Sequence, residues 1–162
     1  MTKFTLANQI FAFLQSKGVD RVFLVPGGGN MFLVDAVATQ VGIEFVATHH
    51  EQSAVIAAEY YSRVSGKIGV ALVTTGPGST NAITGIAGAW LDSIPVLILA
   101  GQVKTTDLNA GNKLRQRGPQ EIDLVSMVAK ISKHSMTCLA AKNCLKDIAN
   151  GLKKAVRGRP GP

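Results

Sequence analysis

The stretch Ile68-Gly69-Val70-Ala71-Leu72-Val73-Thr74-Thr75-Gly76-Pro77-Gly78-Ser79-Thr80-Asn81 decides how this chain folds. Its first half is a short, nearly continuous apolar run, the pattern of a strand covered on both faces. Gly76-Pro77-Gly78 then turns the chain, and Ser79 or Thr80 opens a helix of small residues that runs through Trp90. Pro95 to Ala100 is the next apolar run. Working outward, Ile43 to Val46 reads as a strand, followed by a helix from Glu51 to Ser65 that Gly66 closes. Arg21 to Val25 is a strand ended by Pro26-Gly27-Gly28-Gly29, with a helix over Met31 to Thr39 behind it. Thr5 caps a first helix that carries Leu6, Ile10, Phe13 and Leu14 at helical spacing and stops at Gly18. Downstream come a polar loop from Val103 to Gly118, a short helix over Ile122 to Ala129, an edge strand over Met136 to Leu139, and an amphipathic helix over Asn143 to Val156. This rhythm predicts one α/β domain over residues 1–162. It is a doubly wound parallel sheet of about five or six strands with helices on both faces.

Composition agrees. A chain of 162 residues suffices for one domain with a real core and is short for two. Apolar residues make up 46% and aromatics only 6%, which suits close helix-on-sheet packing better than an aromatic-rich sandwich. No apolar run is long enough to span a bilayer. The start, Met1 to Thr5, lacks the pattern of a signal peptide. The expectation is therefore a cytoplasmic protein without membrane association.

The net charge is +7. Lys104, Lys113, Arg115 and Arg117 share the polar loop, and Lys142, Lys146, Lys153, Lys154, Arg157 and Arg159 lie along the last helix and tail. No aromatic residues are interleaved for base stacking, so nucleic acid is not the expected partner. This is the pattern of a solvated face whose charge an absent partner would neutralise. Cys138 and Cys144 fit no metal or redox motif and read as incidental thiols. His49, His50 and His134 form no ligand pattern, so no protein-built metal site is expected.

Parallel sheets bind ligands beyond the carboxyl ends of their strands. Pro26-Gly27-Gly28, His50-Glu51 and Gly76-Pro77-Gly78 all fall there. A glutamate at a helix start can be a plain first-turn acid, favoured by the dipole by ~0.3–1 kcal/mol. Glu51, however, follows a strand and precedes the apolar run Ala54-Val55-Ile56-Ala57-Ala58, which favours a carboxylate facing a cleft and handling a proton. The glycine loops match neither the dinucleotide fingerprint nor the P-loop. They instead allow close backbone approach to a flat ligand. Asn81 adds an amide that can donate and accept.

Taken together, these segments resemble the N-terminal, pyrimidine-binding domain of thiamine-diphosphate enzymes, nearest the acetolactate synthase branch. The matching text is Val22-Phe23 with Pro26-Gly27-Gly28, His50-Glu51-Gln52, Thr75-Gly76-Pro77-Gly78 with Thr80-Asn81, Asp92-Ser93-Ile94-Pro95, Gly101-Gln102, Gln120-Glu121 and Gly158 to Pro162. The resemblance implies thiamine diphosphate as cofactor and a 2-keto acid as substrate, with decarboxylation followed by carboligation. Glu51 matches the glutamate that bonds the N1′ nitrogen of the aminopyrimidine and so supports loss of the C2 proton. Pro77 and Asn81 match positions beside the pyrimidine, Pro26, Gly27 and Gly28 positions beneath the cofactor, and Gln120 a glutamine facing the reacting side. In the family the site is shared with a diphosphate-binding domain of another subunit, which holds Mg2+. The Gly-Asp-Gly of that domain is absent here. The resemblance thus implies a fragment of a longer homodimeric or homotetrameric enzyme, with FAD as a further cofactor left open. Self-association is expected through the small-residue face Ala82, Gly85, Ile86, Ala89 and Trp90, or through Ala54, Val55 and Ala58 of the helix from Glu51, one of the two packing on the sheet instead, and the isolated chain is expected to be inactive.

Two positions depart from the synthases. Val25 stands where a tyrosine is common, and Pro119 where an aromatic precedes the Gln-Glu pair. Both leave the choice of 2-keto acid and acceptor open. A separately encoded decarboxylase subunit of the sulfopyruvate or phosphonopyruvate type, and a non-catalytic α/β interaction module, remain alternatives.

Overall fold

In the computed structural model, which describes residues 5–109, 111 and 113–162, the strand Gly69–Val73 (β3) is buried at every position. The segment Met1 to Phe4 and the loop positions Ala110 and Asn112 lie outside the described residues. β3 is flanked by β1 (Arg21–Leu24) and β4 (Val96–Ala100), and β2 (Glu44–Ala47) completes a sheet of order β2-β1-β3-β4. All pairings are parallel, with Val22 opposite Val70, Phe23 opposite Val46 and Gly69 opposite Val96.

The two-residue period of β3 sorts the core into two layers. Val70 and Leu72 join Phe11 and Leu14 of α1 (Leu6–Ser16), Val37 of α2 (Met31–Thr39) and Leu152 of α7 (Ala141–Val156). Ala71 and Val73 join Val55 and Ala58 of α3 (Glu51–Ser65) and Ile86 and Ala89 of α5 (Ile83–Asp92). Helices therefore cover both faces, as the apolar runs predict. Local chemistry sets the helix ends. Thr5 and Asn8 cap α1 reciprocally, each side chain accepting from the other's backbone N–H at 3.3 and 3.0 Å. His50 Nδ1 accepts from Gln52 N at 3.2 Å at the start of α3. Gly66 (φ 71) ends α3, its N–H donating to Ser62 O.

Four expectations are corrected. The sheet has four strands among the described residues, not five or six. Met136 to Leu139 forms no strand, because it meets no ladder partner. An apolar cavity of about 420 Å³ lies between this segment and β4. The helix expected from Ser79 to Trp90 is two: α4 (Pro77–Asn81), begun by a proline at its first position, and α5, parted at Ala82, whose N–H turns back to Ser79 O at 3.2 Å. Finally, Ala82, Gly85, Ile86 and Ala89 of the expected association face are buried within the domain, while Trp90 of the same face is exposed. A Cβ at Gly85 would sit 2.7 Å from Val55 Cβ, so this stripe is what lets α5 lie on α3. The short helix α6 (Leu124–Val128) is capped by Asp123, whose carboxylate accepts from Ser126 N at 3.1 Å. Cys144 is buried and its thiol is pushed up to about 12, by burial first and then by the adjacent Cys138, which is exposed. No helix among the described residues is long and apolar enough to cross a membrane.

Candidate functional site

The carboxyl ends of β1 and β3 lie side by side, and the loops that leave them converge on Glu51. The glutamate is the first residue of α3 and is 8% exposed. Its Oε2 accepts from Asn81 Nδ2 at 3.0 Å, tying the first turn of α3 to the last residue of α4. Its Oε1 rests against Gly78. A Cβ there would lie 2.9 Å from Oε1 and 2.4 Å from Thr74 Cγ2, so only glycine lets the turn close on the carboxylate. No donor among the described residues reaches Oε1. A buried carboxylate with one oxygen held and the other lacking a partner is ready to share a proton with a ligand nitrogen.

Thr74 links this turn to the first glycine loop. Its Oγ1 accepts from Gly29 N at 3.1 Å, and a Cβ at Gly27 would fall 2.6 Å from it. Asn30, 2% exposed, locks that loop: its Oδ1 accepts from Gly27 N at 2.8 Å and its Nδ2 donates to Val25 O at 3.0 Å. Gly28 faces open space, with nothing within 4 Å of the position a Cβ would take. Pro26, Gly28 and Pro77 are exposed along the same rim.

Gly76 (φ 59, ψ −125) holds a conformation that side chains disfavour, and a Cβ there would strike Gln120 O at 2.4 Å. Thr75 Oγ1 donates to that same carbonyl at 3.4 Å. Gln120 is itself left-handed (φ 60), with an exposed side chain. The structure thus joins Glu51, Asn81 and Gly27 through Thr74 and Gly78, and brings the Gln120 backbone against Gly76. It records no contact that draws Pro26, Gly28 or Pro77 into this network.

Three parts of the site escape sequence reasoning. Asn30 has a faint signal, an amide between a glycine run and a helix. Gln102 stands in a segment that carries the resemblance, but nothing in the sequence gives its role: its Nε2 donates to Ile122 O at 2.9 Å, and its Oε1 accepts from Val103 N at 2.9 Å. Glu121 gathers the polar loop by accepting from Asn109 N at 2.6 Å, Arg117 N at 2.8 Å and Gly118 N at 3.2 Å. The Asn109 and Arg117 amides hold its carboxyl below the usual carboxylate value. Gln120 is therefore presented by a loop whose backbone is tied to its own neighbour.

Against known proteins, residues 4–127 match the family described as thiamine pyrophosphate enzyme, N-terminal TPP binding domain. The chain is 41% identical over its whole length to the acetolactate synthase large subunit of Haemophilus influenzae, covering 27% of that protein. It is 40% identical over 96% of its length to the acetolactate synthase isozyme 3 large subunit of Escherichia coli, covering 26% of it. Against the chloroplastic acetolactate synthase of Arabidopsis thaliana it is 36% identical over 96% of its length, covering 22%. The chain thus spans about a quarter of the length of these curated relatives. With Glu51 set between two glycine turns at the strand ends and this match over most of its length, the chain belongs to the N-terminal TPP-binding domain family of thiamine pyrophosphate enzymes.

Proposed function

We propose that this domain supplies the pyrimidine-activating half of a thiamine-diphosphate site in an acetolactate synthase-like enzyme that decarboxylates a 2-keto acid and joins the product to an acceptor. The observation that carries this reading is Glu51: buried, oriented by Asn81 through Oε2, and without a partner at Oε1. When bound, the cofactor supplies an acidic carbon and an electron sink. The chain's own residues do the rest. Glu51 holds or gives up a proton at Oε1, and Asn81 fixes the rotation of the carboxylate. Gly78 lets the turn close against it, and the open space over Gly28 leaves room for the flat ligand. Gln120 stands at the rim where the 2-keto acid enters. Val25 and Pro119 replace larger aromatic groups there, so a substrate other than that of acetolactate synthase fits the same reading.

The remaining parts of the enzyme belong to the same proposal. A diphosphate-binding domain, from a longer form of this polypeptide or from a second chain, holds Mg2+ and the phosphates. The site is completed across subunits in a cytoplasmic homodimer or homotetramer, and FAD, where present, is held outside this domain. The test is Glu51→Gln in the assembled enzyme. Gln keeps size and one hydrogen bond but cannot share the proton. Cofactor binding is expected to persist, while exchange of the cofactor's C2 proton for deuterium slows by roughly 10²–10⁴-fold. Exchange at the wild-type rate with cofactor bound would overturn the reading. Titrated alone, the 162-residue chain is expected to bind the cofactor weakly and without dependence on Mg2+.

A further inference from the structure

The charge of this molecule is divided in an unusual way. Residues 1–123 carry nine basic and nine acidic side chains, whereas residues 124–162 carry eight basic and a single acidic one, Asp147. The whole excess of +7 therefore sits on the last 39 residues. The ion pairs among the described residues all fall between Asp20 and Asp92. Lys153, Lys154 and Arg157 are exposed and make none.

These three cations border a groove of about 400 Å³ with His134, Met136 and Asn150. Asp147 also lines it. Lys154 Nζ stands 3.2 Å from His134 Nδ1. Lys133 Nζ donates to Arg157 O at 2.5 Å and to Arg159 O at 2.7 Å, which pins the turn after α7. Burial and Lys154 hold the His134 imidazole below its usual pKa, against a smaller opposing pull from Asp147.

We infer that this groove is a docking site for an acidic polypeptide segment, from a partner chain, carrying carboxylates interspersed with apolar side chains. Five features select this occupant. Lys153 and Lys154 of the last turn of α7 and Arg157 at its C-cap border one groove, so an acidic segment meets several positive charges there. Met136, 40% exposed, offers an adaptable apolar contact, and the Asn150 amide can both donate to and accept from a peptide backbone. Asp147 within the groove opposes a compact phosphate. Nucleic acid finds nothing to stack on, because residues 124–162 contain no Phe, Tyr or Trp. An anionic membrane is disfavoured because the apolar face of α7 is already spent: Cys144, Leu152 and Ala155 are buried in the domain. The inference rests on charge and shape alone and stands whether or not the enzymatic reading holds.

The test is an NMR titration of the intact chain with a short synthetic peptide of glutamates interspersed with leucines. The expected result is chemical-shift change centred on His134, Asn150, Lys153, Lys154 and Arg157, weakening as salt is raised. Reversing three charges (Lys153→Glu, Lys154→Glu and Arg157→Glu together) is expected to weaken binding roughly tenfold or more. The corresponding Gln variants serve as a milder set, and thermal melts of both show that exposed substitutions leave the fold intact. Inorganic phosphate, a single-stranded oligonucleotide and phosphatidylserine vesicles are titrated in parallel. The inference is overturned if the peptide does not bind, if it binds the charge-reversed protein equally well, if its shifts centre on the Val103–Gly118 loop, or if phosphate, oligonucleotide or vesicles bind this groove more tightly.

Discussion

Adding one methyl at Gly78 probes the site directly. The new carbon meets Thr74 and the free oxygen of Glu51, so either the turn opens or the carboxylate leaves Asn81. Gly78→Ala is expected to cost ~1–3 kcal/mol in urea unfolding and to shift the Asn81 side-chain amide in NMR spectra. An unchanged amide signal would mean the turn does not support Glu51. Glu121 poses a different question, since it acts through backbone N–H groups of Asn109, Arg117 and Gly118. Glu121→Ala frees three donors, and the loop is expected to become a preferred site of limited proteolysis, while Glu121→Gln keeps part of the latch. The sign with pH follows from the lowered carboxyl: the latch is complete above the ordinary value of 4.5 and is lost as pH falls through the lower folded one. Wild-type cleavage rates for Glu121→Ala would remove the latch from the account. The burial of Glu51 at the start of α3 was legible in the sequence because an acid after a strand and before an apolar helix is rare company for a surface charge. Glu121 was not, because its partners are main-chain groups that any sequence supplies and only the folded loop gathers.

Elements were legible where the apolar pattern was local. β3 and β4 declare themselves by short runs of branched residues, and α3 by its start at Glu51 and its stop at Gly66. What escaped is non-local. Whether Met136 to Leu139 becomes a strand depends on a neighbour across a ladder, and β4 offers it a cavity instead. The break at Ala82 turns on how α4 and α5 each meet α3, which a periodic stripe cannot reveal. At Gly69 a Cβ would stand 1.8 Å from the backbone oxygen of Ala58, so glycine is what lets α3 lie on β3 here. Backbone cannot swing aside as a side chain can, so Gly69→Ala must lift α3 off the sheet. A loss of ~3 kcal/mol is expected in denaturant unfolding. Because α3 carries Glu51, the Glu51–Asn81 bond is expected to loosen with it, whereas Gly28→Ala, whose Cβ enters open space, is expected to be near neutral for stability. Equal stability of Gly69→Ala and wild type would contradict the packing of α3 on β3.

For the molecule as a whole, the uneven charge makes the C-terminal face the part most responsive to solution conditions. Residues 124–162 repel one another, and salt screens that repulsion. His134 sits in this face, close to Lys154, and contributes a signed dependence on pH. Burial, followed by Lys154, lowers its pKa in the folded state from the ordinary 6.5, and Asp147 offsets only part of this. The unfolded chain therefore binds more protons than the folded one in the window just below 6.5. Stability is expected to be full above that value and to fall as pH drops through the window toward the folded pKa. Other groups also titrate on the acid side, so the contribution of His134 is read as a difference. Urea midpoints measured between about pH 7.5 and about pH 5 are expected to fall less steeply in His134→Gln than in the wild type. Added salt is expected to reduce that difference, because it screens the Lys154 charge that helps keep the imidazole neutral. Identical slopes for the two proteins at low salt would show that His134 titrates alike in both states, and the link between this face and acid sensitivity would then be lost.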